Sequence, residues 1–405
     1  MKFTRRLVFA AAALFLTANY SLGEIKVDID FPGGSGEVIE IDQTKPEIRL
    51  QPSSHMDKGW VCWWYVKVVN LEVGKILELE VSKRPWATPS RAAVSTDQKT
   101  WANSPIGMSR GNGIVYRIPI TSKTMWFAWG PPFLLTHANK LVKEASEVLP
   151  EATAVELCKS RGNLSVPALR VASKDSNASK AEVWVQARQH AWEAGSSWVC
   201  DGFVRWLVSD HPRAVAARAH ANFTIVPIMD VDSVAMGAGG KNQKPNDHNR
   251  DWGDSPHWPA VAAAIKQIQR LDKGKKLALF VDLHNPGAGE RNPYFYISPR
   301  DLLTKDGRRN LDSFLAAAKL EMGGVLPYEG ETRESGPTYD KNWRKISKNW
   351  VSFHANPKVV AVTLETAWNS PHSNVKGYSE VGRNLGIAVE LYLRSNPLSA
   401  QPAAE

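Results

Sequence analysis

The sequence changes its pattern at Pro131 and Pro132, and this change constrains the fold more than any other feature. Before these prolines, short runs rich in β-branched and aromatic residues are separated by Gly, Pro, Asn and Asp, which is typical of a small β-sandwich. After them, helical patterns alternate with apolar runs such as KLALFVDLHN, which predicts an α/β domain. We therefore expect an α/β fold, a mixed β-sheet flanked by helices, preceded by a small all-β sandwich domain.

The N-terminal segment resembles a secretory signal. A basic start precedes an apolar run from Leu7 to Ala18 that is too short to span a bilayer, and Gly23 fits a cleavage site. An uncleaved anchor is the alternative. The expected organisation is a signal peptide at 1–23, a β-sandwich domain at 24–130, a catalytic domain at 131–395 and a disordered tail at 396–405.

The charge and hydropathy of the chain limit the cellular compartments and the binding partners that we expect. The formal net charge of +9 is a mild basic excess, compatible with acidic partners such as cell-envelope polymers. No Lys/Arg run with interleaved aromatics appears, which argues against nucleic acid. No later segment is apolar enough to cross a membrane. We expect a secreted or periplasmic protein without stable membrane insertion after signal removal, and the oligomeric state stays open.

Three cysteines are present: Cys62, Cys158 and Cys200. None belongs to a CxxC pair, which argues against a cysteine-based zinc site. An oxidising compartment would permit one disulfide and leave one cysteine over, and the sequence does not indicate which two would pair.

Histidine and carboxylate side chains recur at the ends of predicted strands. His190 and Glu193 follow the strand-like VWVQA, and His284 ends the apolar strand LFVDLH. A catalytic zinc site takes three protein ligands, and α/β sheets build their sites at strand ends. The HxxE pair alone is weak evidence for a zinc site, and His284 strengthens this evidence. Asp282 could orient a ligand imidazole, although an ordinary polar strand-end residue explains it equally well.

Two further segments carry candidate residues. Glu365 ends the apolar strand VVAVTLE, where a carboxylate is unfavourable without a partner or a role. It could be a general base, and a structural Glu–Lys pair is the alternative. The loop KNQKPNDHNRDW contains Asn249 and Arg250, and an arginine binds a carboxylate through its bidentate fork. An ordinary polar loop is the alternative here.

These motifs occur in the order seen in one enzyme family. HxxE at 190–193, DHNR at 247–250, DLH at 282–284 and TLE at 363–365 match the zinc metallocarboxypeptidases. The chain resembles most the cytosolic-carboxypeptidase-like branch, whose members carry a β-sandwich directly before the catalytic domain. The resemblance covers residues from about 25 to 395.

The resemblance implies a zinc ion and a general base. His190, Glu193 and His284 match the three zinc ligands of the family, and Glu365 matches the glutamate that activates the zinc-bound water. It follows that Zn²⁺ is the expected cofactor.

The resemblance also implies residues that bind substrate. Asn249 and Arg250 match the pair that grips the terminal carboxylate of the substrate, and Tyr339 is the nearest candidate for a family tyrosine on a mobile loop. The place of the arginine that polarises the scissile carbonyl falls at Gly240, next to Lys241. Lys241 can supply the positive charge without the geometry of arginine.

Arg188, just before the HxxE motif, is a second candidate for that missing charge. The expected function is that of a secreted zinc metallocarboxypeptidase that hydrolyses C-terminal residues of peptides through a zinc-activated water and a glutamate base. Its partner would be a peptide with a free C-terminus. Two alternatives stay open: a zinc-dependent deacylase or amidase on N-acyl amino acids or peptidoglycan stem peptides, and a non-catalytic binding protein.

Overall fold

The computed structural model describes residues 23–82, 88–172 and 180–395. The predicted tail at 396–405 and all but the last residue of the predicted signal peptide lie outside these ranges. Across the three described ranges, no helix combines the length and the hydropathy that a bilayer span requires.

Within residues 23–82 and 88–134, ten strands precede the first helix and form two sheets. The strands are β1 (Lys26–Asp28), β2 (Glu37–Asp42), β3 (Glu47–Gln51), β4 (Tyr65–Val69), β5 (Ile76–Ser82), β6 (Ala93–Ser95), β7 (Ala102–Asn103), β8 (Met108–Arg110), β9 (Gly113–Pro119) and β10 (Thr124–Ala128). One sheet has the order β1-β4-β10-β6-β7, and the other has the order β2-β3-β5-β9-β8. Leu77 and Leu79 of β5 and Phe127 of β10 are buried in one core, so both sheets contribute to it.

A single eight-stranded sheet forms the centre of the second part of the chain. Its strands are β11 (Ala152–Lys159), β12 (Ser165–Val171), β13 (Ala181–Ala187), β14 (Ala221–Val226), β15 (Leu277–His284), β16 (Tyr294–Ile297), β17 (Thr332–Glu334) and β18 (Val360–Glu365). The order is β11-β12-β14-β13-β15-β18-β16-β17. The four central strands, β14, β13, β15 and β18, run parallel, and β17 pairs parallel with β16, whereas the pairs β11–β12, β12–β14 and β16–β18 are antiparallel. The sheet is therefore mixed, as predicted.

Helices flank this sheet. They are α1 (Leu135–Val148), α2 (Ala194–Leu207), α3 (Pro212–His220), α4 (Val231–Met236), α5 (Pro259–Leu271), α6 (Lys305–Glu321), α7 (Ser347–His354) and α8 (Val375–Ser395). The long helix α8 packs against α2, α3 and α6, whereas α7 packs against β15 and β18. The predicted fold class is confirmed. The predicted domain boundary between 130 and 131 falls between β10 and α1 and stays a prediction.

The central strands bring the candidate residues to one edge of the sheet. Every residue of β13, β15 and β18 is buried, which is why these strands read as continuous apolar runs. In the ladder, His284 pairs with Glu365, and Ala187, which ends β13, pairs with Leu283. The carboxyl ends of these parallel strands therefore lie together, where open α/β sheets build their binding sites.

Candidate active site

Three buried side chains converge at this edge. His190 follows β13, Glu193 precedes the first turn of α2, and His284 ends β15. Nδ1 of His190 lies 2.8 Å from Oε1 of Glu193, and Nδ1 of His284 lies 2.7 Å from Oε2. One ligand atom from each residue lies within 4.8 Å of the other two. Two nitrogens and one carboxylate oxygen suit zinc with an open coordination position, so the donor set fits this metal. The assignment of the three residues as ligands stays a prediction.

Each imidazole also faces an aspartate. Nε2 of His284 lies 3.0 Å from Oδ2 of Asp282, whose carboxylate also accepts a hydrogen bond from the Ser347 hydroxyl (2.6 Å). Nε2 of His190 lies 3.4 Å from Oδ1 of Asp247, but these two buried atoms have no hydrogen-bond partner among the described residues. A carboxylate behind a histidine fixes the ring so that its other nitrogen faces a metal. The sequence interpretation named Asp282 for this role and missed Asp247, although it lies in the DHNR motif.

The charges of this cluster hold the Glu193 carboxylate ionised. Burial on its own would raise the pKa of Glu193, but the imidazoles of His190 and His284 outweigh it and lower the pKa below its usual range. Conversely, burial would lower the pKa of His284, but Asp282 and Glu193 raise it well above its usual value. The site therefore contains an anionic oxygen flanked by two histidines, which is an arrangement that a divalent cation would stabilise further.

Glu365 lies beside this group and has a different environment. Its carboxyl is buried, and Oε2 has no hydrogen-bond partner in the described part of the chain. Burial raises the pKa of Glu365 to about 7, although the charges of His284 and Lys241 act in the opposite direction. A carboxyl group that titrates near neutral pH can take up and release a proton, as a general base must. The predicted role of Glu365 is compatible with this environment and stays a prediction.

One pocket adjoins the cluster and contains every residue predicted to bind substrate. It is lined by His190, Lys241, Asn249, Arg250, Tyr296, Ser335, Tyr339, Ile346, Lys348, Thr363 and Glu365. The sequence interpretation did not include Tyr296, Ser335, Lys348 or Thr363. Tyr296, Ser335 and Lys348 lie in segments without a motif, and Thr363 begins the TLE motif without a predicted role, so only the three-dimensional fold reveals that these residues line the pocket.

The pair Asn249 and Arg250 is held from several sides. The Arg250 Nε–H donates to Oδ2 of Asp340 (2.7 Å), and its guanidinium lies 5.9 Å from the ring centre of Tyr339. The side-chain oxygen of Asn249 accepts the backbone N–H of Ser347 (3.0 Å). These contacts fix the orientation of both side chains at the pocket wall.

Arg188 does not face the pocket. It is buried, its Nε–H donates to the carbonyl of Ala191 (2.7 Å), and an N–H of its guanidinium donates to the carbonyl of Phe133 (2.9 Å). The interpretation of Arg188 as a substitute for the missing arginine is therefore wrong, because its donors bind backbone carbonyls of neighbouring loops. Lys241 lines the pocket and stays the candidate.

Comparison with known families agrees with the motifs. The sequence model described as zinc carboxypeptidase matches residues 139–374, and the model described as cytosolic carboxypeptidase N-terminal domain matches residues 27–129. The resemblance read from the motifs is confirmed, and with it the enzyme class of a zinc metallopeptidase.

Individual proteins are similar to the chain over different lengths. Cytosolic carboxypeptidase 6 of Mus musculus is 32% identical over 109 residues, which are 26% of this chain and 20% of that protein. Cytosolic carboxypeptidase 3 of Bos taurus is 21% identical over 299 residues, 65% of this chain and 29% of that protein. The chain thus spans less than a third of the length of these two relatives.

Among solved structures, the fold is similar to that of a metallo-carboxypeptidase from Burkholderia cenocepacia. The TM-score is 0.79 at 18% sequence identity, and the match covers 92% of this chain and 99% of the other. At this level of identity the similarity concerns the fold. It supports the arrangement of a β-rich N-terminal part followed by a carboxypeptidase-like α/β part.

The prediction of a secreted or periplasmic protein is wrong. The relatives are named cytosolic carboxypeptidases, and the model that matches residues 27–129 carries the same description, which points to the cytosol. The prediction rested on a short apolar run after a basic start, a compositional pattern that lies outside the described residues. Cys62, Cys158 and Cys200 are all free in the structure.

Proposed function

Because the chain belongs to the zinc carboxypeptidase family, we propose that it is a metallocarboxypeptidase that removes residues from the free C-terminus of peptides. The observation that carries this proposal is the single pocket in which a general-base candidate, Glu365, and a carboxylate-binding candidate, Arg250, adjoin the His–Glu–His group. An exopeptidase needs these three functions close together, because the bond that it cleaves lies next to the terminal carboxylate.

Substrate would be anchored by its terminal carboxylate. Arg250 still has N–H groups beyond the one bound to Asp340, and a guanidinium binds a carboxylate through two parallel hydrogen bonds. Asn249 would contribute its side-chain amide from the adjacent position. The anchor orients the scissile bond toward the cluster, so substrates with a blocked C-terminus should lose most of this positioning.

Glu365 would perform the proton transfers. Its buried carboxyl, with a pKa raised to about 7, would accept a proton from the attacking water and deliver it to the leaving amine. Zinc held by His190, Glu193 and His284 would supply a Lewis acid next to this carboxyl. Lys241, on the pocket wall, would contribute positive charge near the scissile carbonyl.

The pocket also favours a particular class of terminal side chain. Lys348 is fully buried, and its ammonium donates to two neutral oxygens, Oγ of Ser335 (2.6 Å) and Oδ1 of Asn349 (2.7 Å). Burial and the nearby charge of Arg250 lower the pKa of Lys348 well below its usual value. An acidic substrate side chain would relieve this unfavourable environment, since a buried cation is stabilised by a paired anion.

The proposal is tested with paired peptides that differ only at the C-terminus. The purified protein should contain zinc and should cleave a peptide with a free C-terminus about 100-fold faster or more than the same peptide amidated. The variant Glu365→Gln should keep zinc and lose about 10²- to 10⁴-fold in kcat. Equal cleavage of the amidated peptide would contradict the proposal, and so would a His284→Ala variant that retains both zinc and hydrolysis.

A further inference from the structure

The β-sandwich reaches the candidate active site through the loop between β3 and β4. The backbone N–H of Trp60 donates to the carbonyl of Lys241 (2.8 Å), and the N–H of Gly240 donates to the carbonyl of Lys58 (2.9 Å). These bonds join the sandwich loop to the segment in which the family arginine is absent. The backbone of the segment that carries Lys241 is therefore held by the other domain.

The two backbones approach more closely than side chains would allow. A Cβ atom at Gly59 would lie 2.1 Å from the carbonyl oxygen of Lys241, and one at Gly239 would lie 2.1 Å from that of Trp60. Glycine is needed at Gly59 for a second reason, because its φ of +84° is in the left-handed region. The close contact sets the position of Lys241 relative to the sandwich loop.

The side chains of the same two residues are also in contact. Nζ of Lys241 lies 5.3 Å from the ring centre of Trp60, within the range of a cation–π interaction. The Trp60 ring in turn packs against Trp192, at 6.2 Å between ring centres, and Trp192 lies between His190 and Glu193 in the sequence. The indole thus connects the lysine at the pocket wall with the loop that carries two ligand candidates.

We propose that Trp60 is a positioning residue that holds the ammonium group of Lys241 where the family arginine would act, so that the sandwich completes the active site. A lysine has a flexible four-carbon stem and a compact charge, whereas an arginine is preorganised by its planar fork. A lysine in this role needs an external contact to fix its position, and the Trp60 ring provides one. The positive charge of Lys241 also acts on Glu365, where it favours the ionised carboxylate. This inference rests on the proposed function.

The first experiment compares substitutions of the tryptophan. Trp60→Leu should lower kcat about tenfold with little change in KM, because the ring acts on Lys241 and not on the bound carboxylate. Trp60→Phe, which retains an aromatic face, should fall between Trp60→Leu and the wild type. The matched control is Trp126→Leu, which removes a second sandwich tryptophan that faces a lysine, Lys67 at 5.9 Å, and should leave kcat unchanged. An equal decrease of kcat in Trp60→Leu and Trp126→Leu would overturn the inference.

A double-mutant cycle separates positioning from a purely structural contact. Lys241→Met should lower kcat about 10²-fold, as the loss of one group that stabilises developing charge does. In the Lys241→Met background, Trp60→Leu should have no further effect on kcat, because the ring would have nothing left to position. A full, additive tenfold loss in that background would show that Trp60 acts independently of Lys241 and would contradict the inference.

A spectroscopic measurement keeps the test independent of activity. After reductive ¹³C-methylation, the dimethyl signal of Lys241, identified by its loss in Lys241→Met, should be shifted by the ring current of Trp60. It should return to the ordinary lysine position in Trp60→Leu, whereas Trp60→Phe, which retains an aromatic ring, should give a smaller shift than the wild type. Zinc content should be unchanged in all of these variants. A wild-type protein that binds zinc and shows the shifted signal but cleaves no peptide would refute the proposed function alone. An unshifted Lys241 signal in the wild type would refute the positioning role.

Discussion

At the scale of single residues, the orientation of two imidazole rings determines whether the cluster can bind a metal. Both rings direct Nδ1 to the same carboxylate and Nε2 to an aspartate. Of the two aspartates, Asp282 is fully buried and accepts hydrogen bonds from Gln189 and Ser347, so its position is fixed by the surrounding side chains. Asp282 should therefore contribute to zinc affinity without touching the ion.

Replacing Asp282 with asparagine should weaken zinc binding about 10- to 100-fold, because the amide no longer fixes the His284 ring as a carboxylate does. Competition with a chromogenic chelator measures the affinity directly. Asp312→Asn serves as the control, since Asp312 is an exposed partner of Arg300 on the surface, and this variant should bind zinc as the wild type does. An unchanged affinity in Asp282→Asn would show that the His284–Asp282 contact has no such role.

Lys348 allows a second prediction at this scale. Removing its charge with Lys348→Met should lower kcat/KM about 10- to 100-fold for peptides that end in glutamate, the effect expected for a buried charged hydrogen bond. Peptides that end in leucine should be affected little. The control is Lys345→Met, because Lys345 is exposed three residues earlier. An equal decrease of kcat/KM for both peptides would show that Lys348 supports the fold of the pocket and not its selectivity.

At the scale of elements, the helix that follows the HxxE motif is held by an unusually close helix crossing. A Cβ atom at Gly382 of α8 would lie 1.9 Å from the carbonyl oxygen of Val199 in α2. From the opposite side, a Cβ at Gly202 of α2 would lie 2.1 Å from the carbonyl oxygen of Ser379. Helix backbones can meet this closely only through glycine, and α2 begins directly after Glu193. The crossing therefore also fixes the start of α2 next to the candidate ligand Glu193.

A methyl group at this crossing should separate α2 from α8. We expect Gly382→Ala to lower the free energy of unfolding by about 1–3 kcal/mol or more, the usual range for overpacking a buried contact. Urea unfolding followed by circular dichroism measures the change. Gly253→Ala is the matched control, since a Cβ there would meet no atom within 4 Å. A stability of Gly382→Ala equal to that of the control would mean that the helices can shift without cost.

The elements that could be predicted from the sequence are those whose environment is uniform along their length. The strands β13, β15 and β18 are buried on both faces, so their apolar runs identify them directly. The aromatic run WVCWWYVKVVN has the composition of a strand, but only its part Tyr65–Val69 forms one. In its first residues, Trp60 packs against Trp192 of the α/β part, and the Trp63 indole donates to the carbonyl of Gly33, so these aromatic side chains serve contacts outside a strand.

The candidate site could be predicted only in part for a similar reason. Residues that sit in short motifs at strand ends, such as His190, His284 and Glu365, have a local signal. Lys348 and Trp60 acquire their places through contacts with distant segments, and no spacing rule in the sequence relates them to the cluster. Their roles depend on how the loops between elements pack, which local patterns do not encode.

At the scale of the whole molecule, tryptophans connect the two parts of the chain. Trp129, at the end of the sandwich, lies 5.4 Å from Trp192 and 6.3 Å from Trp368 between ring centres, and Trp192 stacks on Trp368 at 5.8 Å. All three side chains are buried. Since a buried indole removes about 150–250 Å² from water, this cluster makes the contact between the sandwich and the α/β part strongly apolar.

An interface of this kind predicts that the two parts unfold together. Inter-domain contacts that are polar and small allow independent unfolding, whereas a large apolar contact makes separation costly. If the sandwich unfolded alone, Trp192 and Trp368 would lose their contact with Trp129 and become exposed. We therefore expect one cooperative transition in urea, with coincident curves from tryptophan fluorescence and far-UV circular dichroism. Removing zinc with a chelator should shift the midpoint of this single transition to lower urea, because a zinc ion held by His190, Glu193 and His284 would bind only the folded state.

The variant Trp129→Ala tests this prediction further, since it removes the sandwich tryptophan from its contacts with Trp192 and Trp368 and changes none of the candidate site residues. It should lower the midpoint and, by weakening the coupling, begin to separate the fluorescence and circular dichroism curves. Trp126→Ala, which alters a half-buried tryptophan on the sandwich, should leave the two curves coincident. Two separate transitions in the wild type would show that the domains are independent. In that case, contact with the sandwich could not be what holds the Trp192 loop and Lys241 in place.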